Sequence, residues 1–116
     1  MSNISYRIKH IGINTHSTAE AAELAKTLCE VFGFEYGPEC DASIFAGPLM
    51  EIMRHSNLGV NGHIALQTDD VEAAMEDLAS RGITFRPEFV RKDESGKVYF
   101  AYLDQEFGGF AFHLTT

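Results

Sequence analysis

A chain of 116 residues with 45% hydrophobic content and a formal net charge of −8 suits one domain, residues 1–116, that folds without disulfide or metal staples. Seventeen acidic against nine basic residues argue against a nucleic-acid partner, which demands clustered Lys and Arg. No apolar run nears the roughly 20 residues of a membrane span, and Met1-Ser2-Asn3-Ile4-Ser5 lacks the basic-then-apolar order of a signal peptide, so a cytoplasmic protein with no membrane partner is expected.

The first apolar segment, Tyr6 to Thr15, reads YRIKHIGINT. Alternation puts Arg7, Lys9, Ile11 and Ile13 on one face and Tyr6, Ile8, His10, Gly12 and Asn14 on the other, which predicts a strand. A helix follows. Ser17 and Glu20 form an S-x-x-E capping box, and Ala21, Leu24, Ala25, Leu28, Val31 and Phe32 recur at helical spacing. Gly33 is placed to stop that helix in a left-handed conformation. Residues 34–55 hold two or three short strands, broken at Gly37-Pro38 and Gly47-Pro48. The last of these runs from Pro48 to His55.

A short connection, Ser56 to Gly59, leads to a further strand from Val60 to Thr68. Asp69 or Asp70 caps a second helix, with Glu72 completing a box from Asp69. Its apolar face is Val71, Ala74, Met75, Leu78 and Ala79, and Gly82 is its stop. Thr84 to Arg91, Val98 to Asp104 and Gly109 to Thr115 are the remaining strand candidates. The KDESGK segment, Lys92 to Lys97, is a turn between the first two. Gly108-Gly109 opens the last strand; with no Lys or helix behind it, it is not a phosphate cradle.

The halves repeat. His10-Ile11-Gly12-Ile13-Asn14-Thr15 matches His63-Ile64-Ala65-Leu66-Gln67-Thr68, 53 residues later. Each copy is followed by a capped helix, a glycine stop and several strands. The expected fold is therefore α+β: two paired βαβββ modules, about 5–56 and about 57–116, forming a curved mixed sheet. Ile11, Ile13, Ile64 and Leu66 should meet the helices. The opposite faces hold small and polar residues beside His10 and His63, which suits a cleft better than a core.

Paired modules with a histidine on each first strand resemble the vicinal oxygen chelate superfamily, which includes glyoxalase I, methylmalonyl-CoA epimerase, extradiol dioxygenases and the bleomycin and fosfomycin resistance proteins. The likeness runs from about Tyr6 to Thr115. Its most specific stretch, Gly62-His63-Ile64-Ala65-Leu66, looks like the second-module opening of glyoxalase I. The resemblance implies one inward position on the first and last strand of each module. Carried over, these positions fall on His10, Glu51, His63 and His113. Alternation agrees: Glu51 shares a face with Leu49 and Met53, and His113 with Ala111 and Thr115. All four side chains can bind a divalent ion, whether zinc, nickel, cobalt, manganese or iron(II).

That resemblance implies a metal-dependent, glyoxalase-like lyase or isomerase acting on a small α-carbonyl or vicinal-oxygen compound. Glu51 or His113 would move the proton. His113 stands where glyoxalase I has a glutamate, which puts ordinary glyoxalase I activity in doubt. The rivals are a non-catalytic sequestration protein of the antibiotic-resistance type and an iron-dependent extradiol-type dioxygenase. A homodimer is expected, with the site inside one chain or across a swapped pair.

Asn14, Gln67 and His55 are weaker candidates for lining the substrate site. His16 reads as an exposed loop residue. Either Tyr99 with Ala101 or Phe100 with Tyr102 lines the cavity. Arg54, Arg86, Arg91 and Lys97 could anchor an anion but read as solvated surface charges. Cys29 reads as a reduced, partly buried helix thiol, and Cys40 as a strand-region residue.

Overall fold

The computed structural model of the chain describes residues 3–116. Its elements run β1 (Arg7–Ile13), α1 (Thr18–Phe32), β2 (Tyr36–Glu39), β3 (Ser43–Ala46), β4 (Met50–Met53), β5 (Gly62–Gln67), α2 (Val71–Ala79), β6 (Arg91–Lys92), β7 (Val98–Phe107) and β8 (Phe110–Thr115). All eight strands form one mixed sheet in the order β2-β3-β4-β1-β5-β8-β7-β6. Each half contributes four neighbouring strands with its own first strand innermost. The halves join where β1 runs antiparallel to β5, while β4 lies parallel to β1 and β8 parallel to β5.

The helices form where the caps predict. Ser17 accepts the Glu20 N–H at 3.1 Å, and Gly33, at φ 74, donates its N–H to the Cys29 carbonyl. The return bond of the box goes one residue further back: Glu20 Oε1 accepts from His16 N–H at 3.4 Å. For α2 the cap is Asp70, which accepts from Ala73 N–H at 3.1 Å. Asp69 instead pairs with Arg7, so the Asp69–Glu72 box does not form. Such a cap is worth roughly 1 kcal/mol.

Each helix covers its own module. Ala21 and Ala25 of α1 pack on Ile44, Ala46 and Ile52, joined by Ile13. Val71 and Ala74 of α2 pack on Val98, Ala101, Leu103 and Leu114, joined by Leu66. Ile52 and Leu114 are fully buried, each contributing roughly 1.5–3 kcal/mol by leaving water. Both directly follow a predicted metal position by one residue. Burying these apolar residues against the helices therefore turns Glu51 and His113 to the opposite face.

Three expectations change. Gly37-Pro38 lies inside β2 instead of breaking it, because β2 is an edge strand and Pro there forfeits no ladder bond. Thr84 to Arg91 is not a strand: Phe85 makes one bridge to Leu103, and Pro87–Phe89 coil into a 3-10 turn before the two-residue β6. Pro87 removes a ladder donor there. Strand β7 continues past Asp104 to Phe107, so the expected loop shrinks to a hairpin turn at Gly108 and Gly109, both at positive φ. Among the described residues, no helix is long and apolar enough to cross a membrane.

Candidate metal centre

Strand register brings the four sequence-predicted positions together in one chain. One row across the sheet reads Phe45, Glu51, Gly12, His63. The next reads His10, Ala65, His113, Tyr102. In each row a small residue separates two candidate donors, so long side chains from either side can lean over it. At Gly12 the fit is tight: a Cβ added there would overlap the His63 imidazole ring.

The donor atoms converge. Glu51 Oε1 lies 3.0 Å from His63 Nε2 and 3.3 Å from His10 Nε2, and the two Nε2 atoms are 3.2 Å apart. His113 completes a cluster in which one nitrogen from each histidine lies within 4.8 Å of the others. Two imidazole nitrogens on one tetrahedral ion, each about 2.0–2.1 Å from it, would be about 3.3 Å apart. The His10–His63 spacing fits that value. Facing Nε2 atoms cannot both donate, whereas both can be ligands. The residues present therefore fit a divalent cation.

Surroundings tune each donor. Burial raises the Glu51 pKa, but hydrogen bonds from His63 and Ser43 and the charges of His10 and His63 outweigh it, leaving the carboxyl below its ordinary value. Ser43, fully buried on β3, donates its hydroxyl to Glu51 Oε2 at 2.7 Å. Burial lowers His10, only partly offset by Glu51. Burial also drives His113 down to about 4. Its ring stacks on Phe100 at 4.4 Å and meets Tyr102 at 4.8 Å between centroids. Burial and the Glu51 charge push Tyr102 up to about 12, so its phenol stays a hydrogen-bond donor. The site is thus three imidazoles and one carboxylate, two of the imidazoles held neutral at pH 7. It can accept a cation without first shedding protons from His10 or His113.

The four donors line a cavity of about 280 Å³, together with Lys9, Met53, Asn57, Phe100, Tyr102 and Thr115. Of the two readings of β7, Phe100 and Tyr102 are the pair that faces it. Asn14, Gln67 and His55 do not line it. Asn14 Nδ2 donates to the Gly59 carbonyl at 3.0 Å and holds the turn before β5. Gln67 ends β5 opposite Arg7 and Thr115. His55 is exposed beyond β4, and His16 is exposed beside Glu20. Cys40 is exposed and Cys29 half-buried. Arg54 pairs with Glu39, Arg86 with Glu106 and Lys97 with Asp70.

Sequence reasoning passed over Ser43, Phe45 and Lys9. Ser43 and Phe45 were readable, because Ile44 and Ala46 alternate with them toward α1. Lys9 was not. The β1–β5 register shifts by one residue between Ile8 and His10, so strict alternation fails there. A larger hollow of about 900 Å³ lies along α1 against Tyr36, away from these donors.

No family model matches the chain, and no curated protein matches it. Solved structures do. Methylmalonyl-CoA epimerase of Streptomyces coelicolor, in complex with 2-nitronate-propionyl-CoA, aligns over 95% of this chain and 96% of its own, at 20% identity and a TM-score of 0.65. A hypothetical protein of Bacillus halodurans aligns over 96% and 94%, at 16% identity and a TM-score of 0.66. Methylmalonyl-CoA epimerase of Mycobacterium tuberculosis aligns over 93% and 85%, at 15% identity and a TM-score of 0.55. With its paired βαβββ halves and one mixed sheet, the chain has the same fold as these structures.

Proposed function

We propose that this chain is a divalent-metal-dependent isomerase or lyase of the glyoxalase type, acting on a small α-carbonyl or vicinal-oxygen compound. The observation that carries this reading is the meeting of Glu51 Oε1 with the Nε2 atoms of His10 and His63, beside His113. Residues 1–116 act as one domain, since neither half (about 5–56 or about 57–116) holds the donors alone. His10, Glu51 and His63 would hold the ion, with His113 standing beside it. Bound there, it would supply Lewis acidity to two neighbouring substrate oxygens.

The chain's own groups divide the remaining work. Both Glu51 oxygens already have partners, Oε2 on Ser43 and Oε1 between the two histidines. His113 has only a 3.5 Å approach to the Leu114 carbonyl besides its aromatic walls. It is neutral at pH 7 and free to take a proton from the carbon next to the carbonyl and return it, on the same face, to the neighbouring carbon. The Tyr102 phenol, protonated in the same wall, donates to the oxygen on which charge develops. A cytoplasmic homodimer is the proposed setting.

Elemental analysis of the protein and of His63→Ala tests the metal. The expected result is one zinc, nickel, cobalt or manganese ion per chain, lost in the variant. Deuterium uptake from solvent, with methylmalonyl-CoA and a methylglyoxal hemithioacetal as first probes, tests the proton transfer. Iron with oxygen consumption would favour a dioxygenase. No metal in either preparation and none taken up on titration would leave only a sequestration protein.

A further inference from the structure

The metal cavity does not end at His113. A second cleft of about 370 Å³ adjoins it and shares Asn57, Phe100 and Tyr102 as a common wall. Its other walls include Leu58, Phe89 and Arg91. Phe89 and Tyr102 meet edge to face at 5.6 Å, as do Phe100 and Tyr102 at 5.5 Å. Such a set of ring faces and edges suits a flat guest.

Arg91 gives the cleft a charge. It stands opposite Phe100 across the β6–β7 pair, with its guanidinium 6.0 Å above the centre of the Phe89 ring. Among the described residues, the guanidinium's only hydrogen bond runs from one terminal nitrogen to the Glu88 carbonyl at 3.0 Å. Arg7, Arg54, Arg81 and Arg86, by contrast, each reach a carboxylate. In a chain of net charge −8, a guanidinium with spare donors beside an aromatic cleft is a seat for a carboxylate.

We infer that this cleft binds the part of the substrate that the metal does not hold: a planar aromatic or conjugated body ending in a carboxylate. The inference rests on the proposed metal chemistry only for the other end of the molecule. Arg91 is two strands over and two residues along from His113, which sets the span between their Cα atoms at about 12 Å. One ring with a short substituent at each end covers that distance. A coenzyme A ester suits the cleft less well, because its several phosphates would meet a single unpaired guanidinium here.

Hydroxamates test this directly, because a hydroxamate chelates metal and its tail can be varied. Acetohydroxamate, benzohydroxamate and 4-carboxybenzohydroxamate are titrated by calorimetry into the zinc-loaded protein and into Arg91→Gln and Phe100→Ala. The ring is expected to tighten binding, and Phe100→Ala to remove most of that gain. The distal carboxylate should add roughly tenfold to a hundredfold, as for a charged hydrogen bond, and Arg91→Gln should erase that increment alone. Equal binding of the two aromatic hydroxamates, or a carboxylate gain that survives Arg91→Gln, overturns the inference. So does coenzyme A binding more tightly than the carboxylated ring. If the protein takes up no zinc, the metal reading fails by itself. The cleft is then judged by 4-methylbenzoate against neutral 4-methylbenzamide on the metal-free protein, with the same Arg91 dependence required.

Discussion

Gly12→Ala is a small change with a large expected consequence. Gly12 sits in the middle of β1, and its φ is not in the left-handed region, so its backbone accepts alanine. In an open strand the change would gain up to about 1 kcal/mol from reduced backbone entropy. Here the added methyl enters the space of the His63 ring. The His63 side chain is 6% exposed, walled by Gly12 below and by His10, His113 and Tyr102 at ring-contact distance. It must rotate away from Glu51, and overpacking of this kind costs roughly 1–3 kcal/mol. Urea unfolding of the metal-free protein should show that loss in Gly12→Ala. The same substitution in a His63→Ala background should cost nothing or stabilise slightly, because the methyl then fills the vacated space. A coupling of about 1–3 kcal/mol between the two sites is the signature. An equal cost in both backgrounds would refute the close approach of residue 12 to the ring. Zinc affinity, measured by chelator competition, should fall with Gly12→Ala even where the fold survives.

Removal of the Ser43 hydroxyl leaves Glu51 Oε2 without its partner; Ser43→Ala should weaken metal binding by about 1–3 kcal/mol, and Ser43→Thr should restore part of it. Acidification should destabilise the metal-free protein. His113 has a folded pKa of about 4 against 6.5, so between those values the unfolded chain holds a proton that the folded chain refuses, and stability is lost as pH falls through that window. The full shift corresponds to about 3 kcal/mol. His10, also lowered, acts with the same sign, and Glu51, held low, adds a further loss as pH falls below about 4.5. Urea midpoints at pH 7, 6, 5 and 4 should therefore decline, and His113→Gln should flatten the decline; a flat profile in the parent chain would contradict the buried neutral imidazole.

What was legible in the sequence follows from alternation and duplication. The His10 and His63 repeat, the caps at Ser17 and Gly33, and the facing of Ile52 and Leu114 toward the helices all rest on local pattern. They place the four donors because a strand has only two faces. Where the pattern failed, a non-local cause decided. Lys9 reaches the cavity rim through a register shift that only the pairing of β1 with β5 reveals. Pro87 turned an expected strand into a 3-10 turn, which seats Phe89 under Arg91. Asn14 and Gln67 flank the histidines two-fold in sequence, yet they lie past the row of donors and serve the turn and the strand end. No spacing rule could join Arg91 to the site, because that needs β6, β7 and β8 laid side by side.

The duplication also explains why the site is not symmetric. Strand β3 pairs with β4 as β7 pairs with β8, so Phe45 opposite Glu51 corresponds to Tyr102 opposite His113. Likewise Ser43 opposite Met53 corresponds to Phe100 opposite Thr115. At each equivalent place the residue suits the donor beside it. The carboxylate receives a hydroxyl, Ser43, which stabilises its charged form. The imidazole receives a stacked ring, Phe100, which excludes water and keeps it neutral. Phe45 sets its ring edge to face against His10 at 5.9 Å, while Tyr102 presents the same aromatic body with a phenol added. One half of the cavity thus holds charge and the other half holds a proton acceptor and a proton donor, and the aromatic cleft opens from the second half. Two copies of one module give the site its shape. The differences between them divide it into a side that binds a cation and a side that meets the substrate.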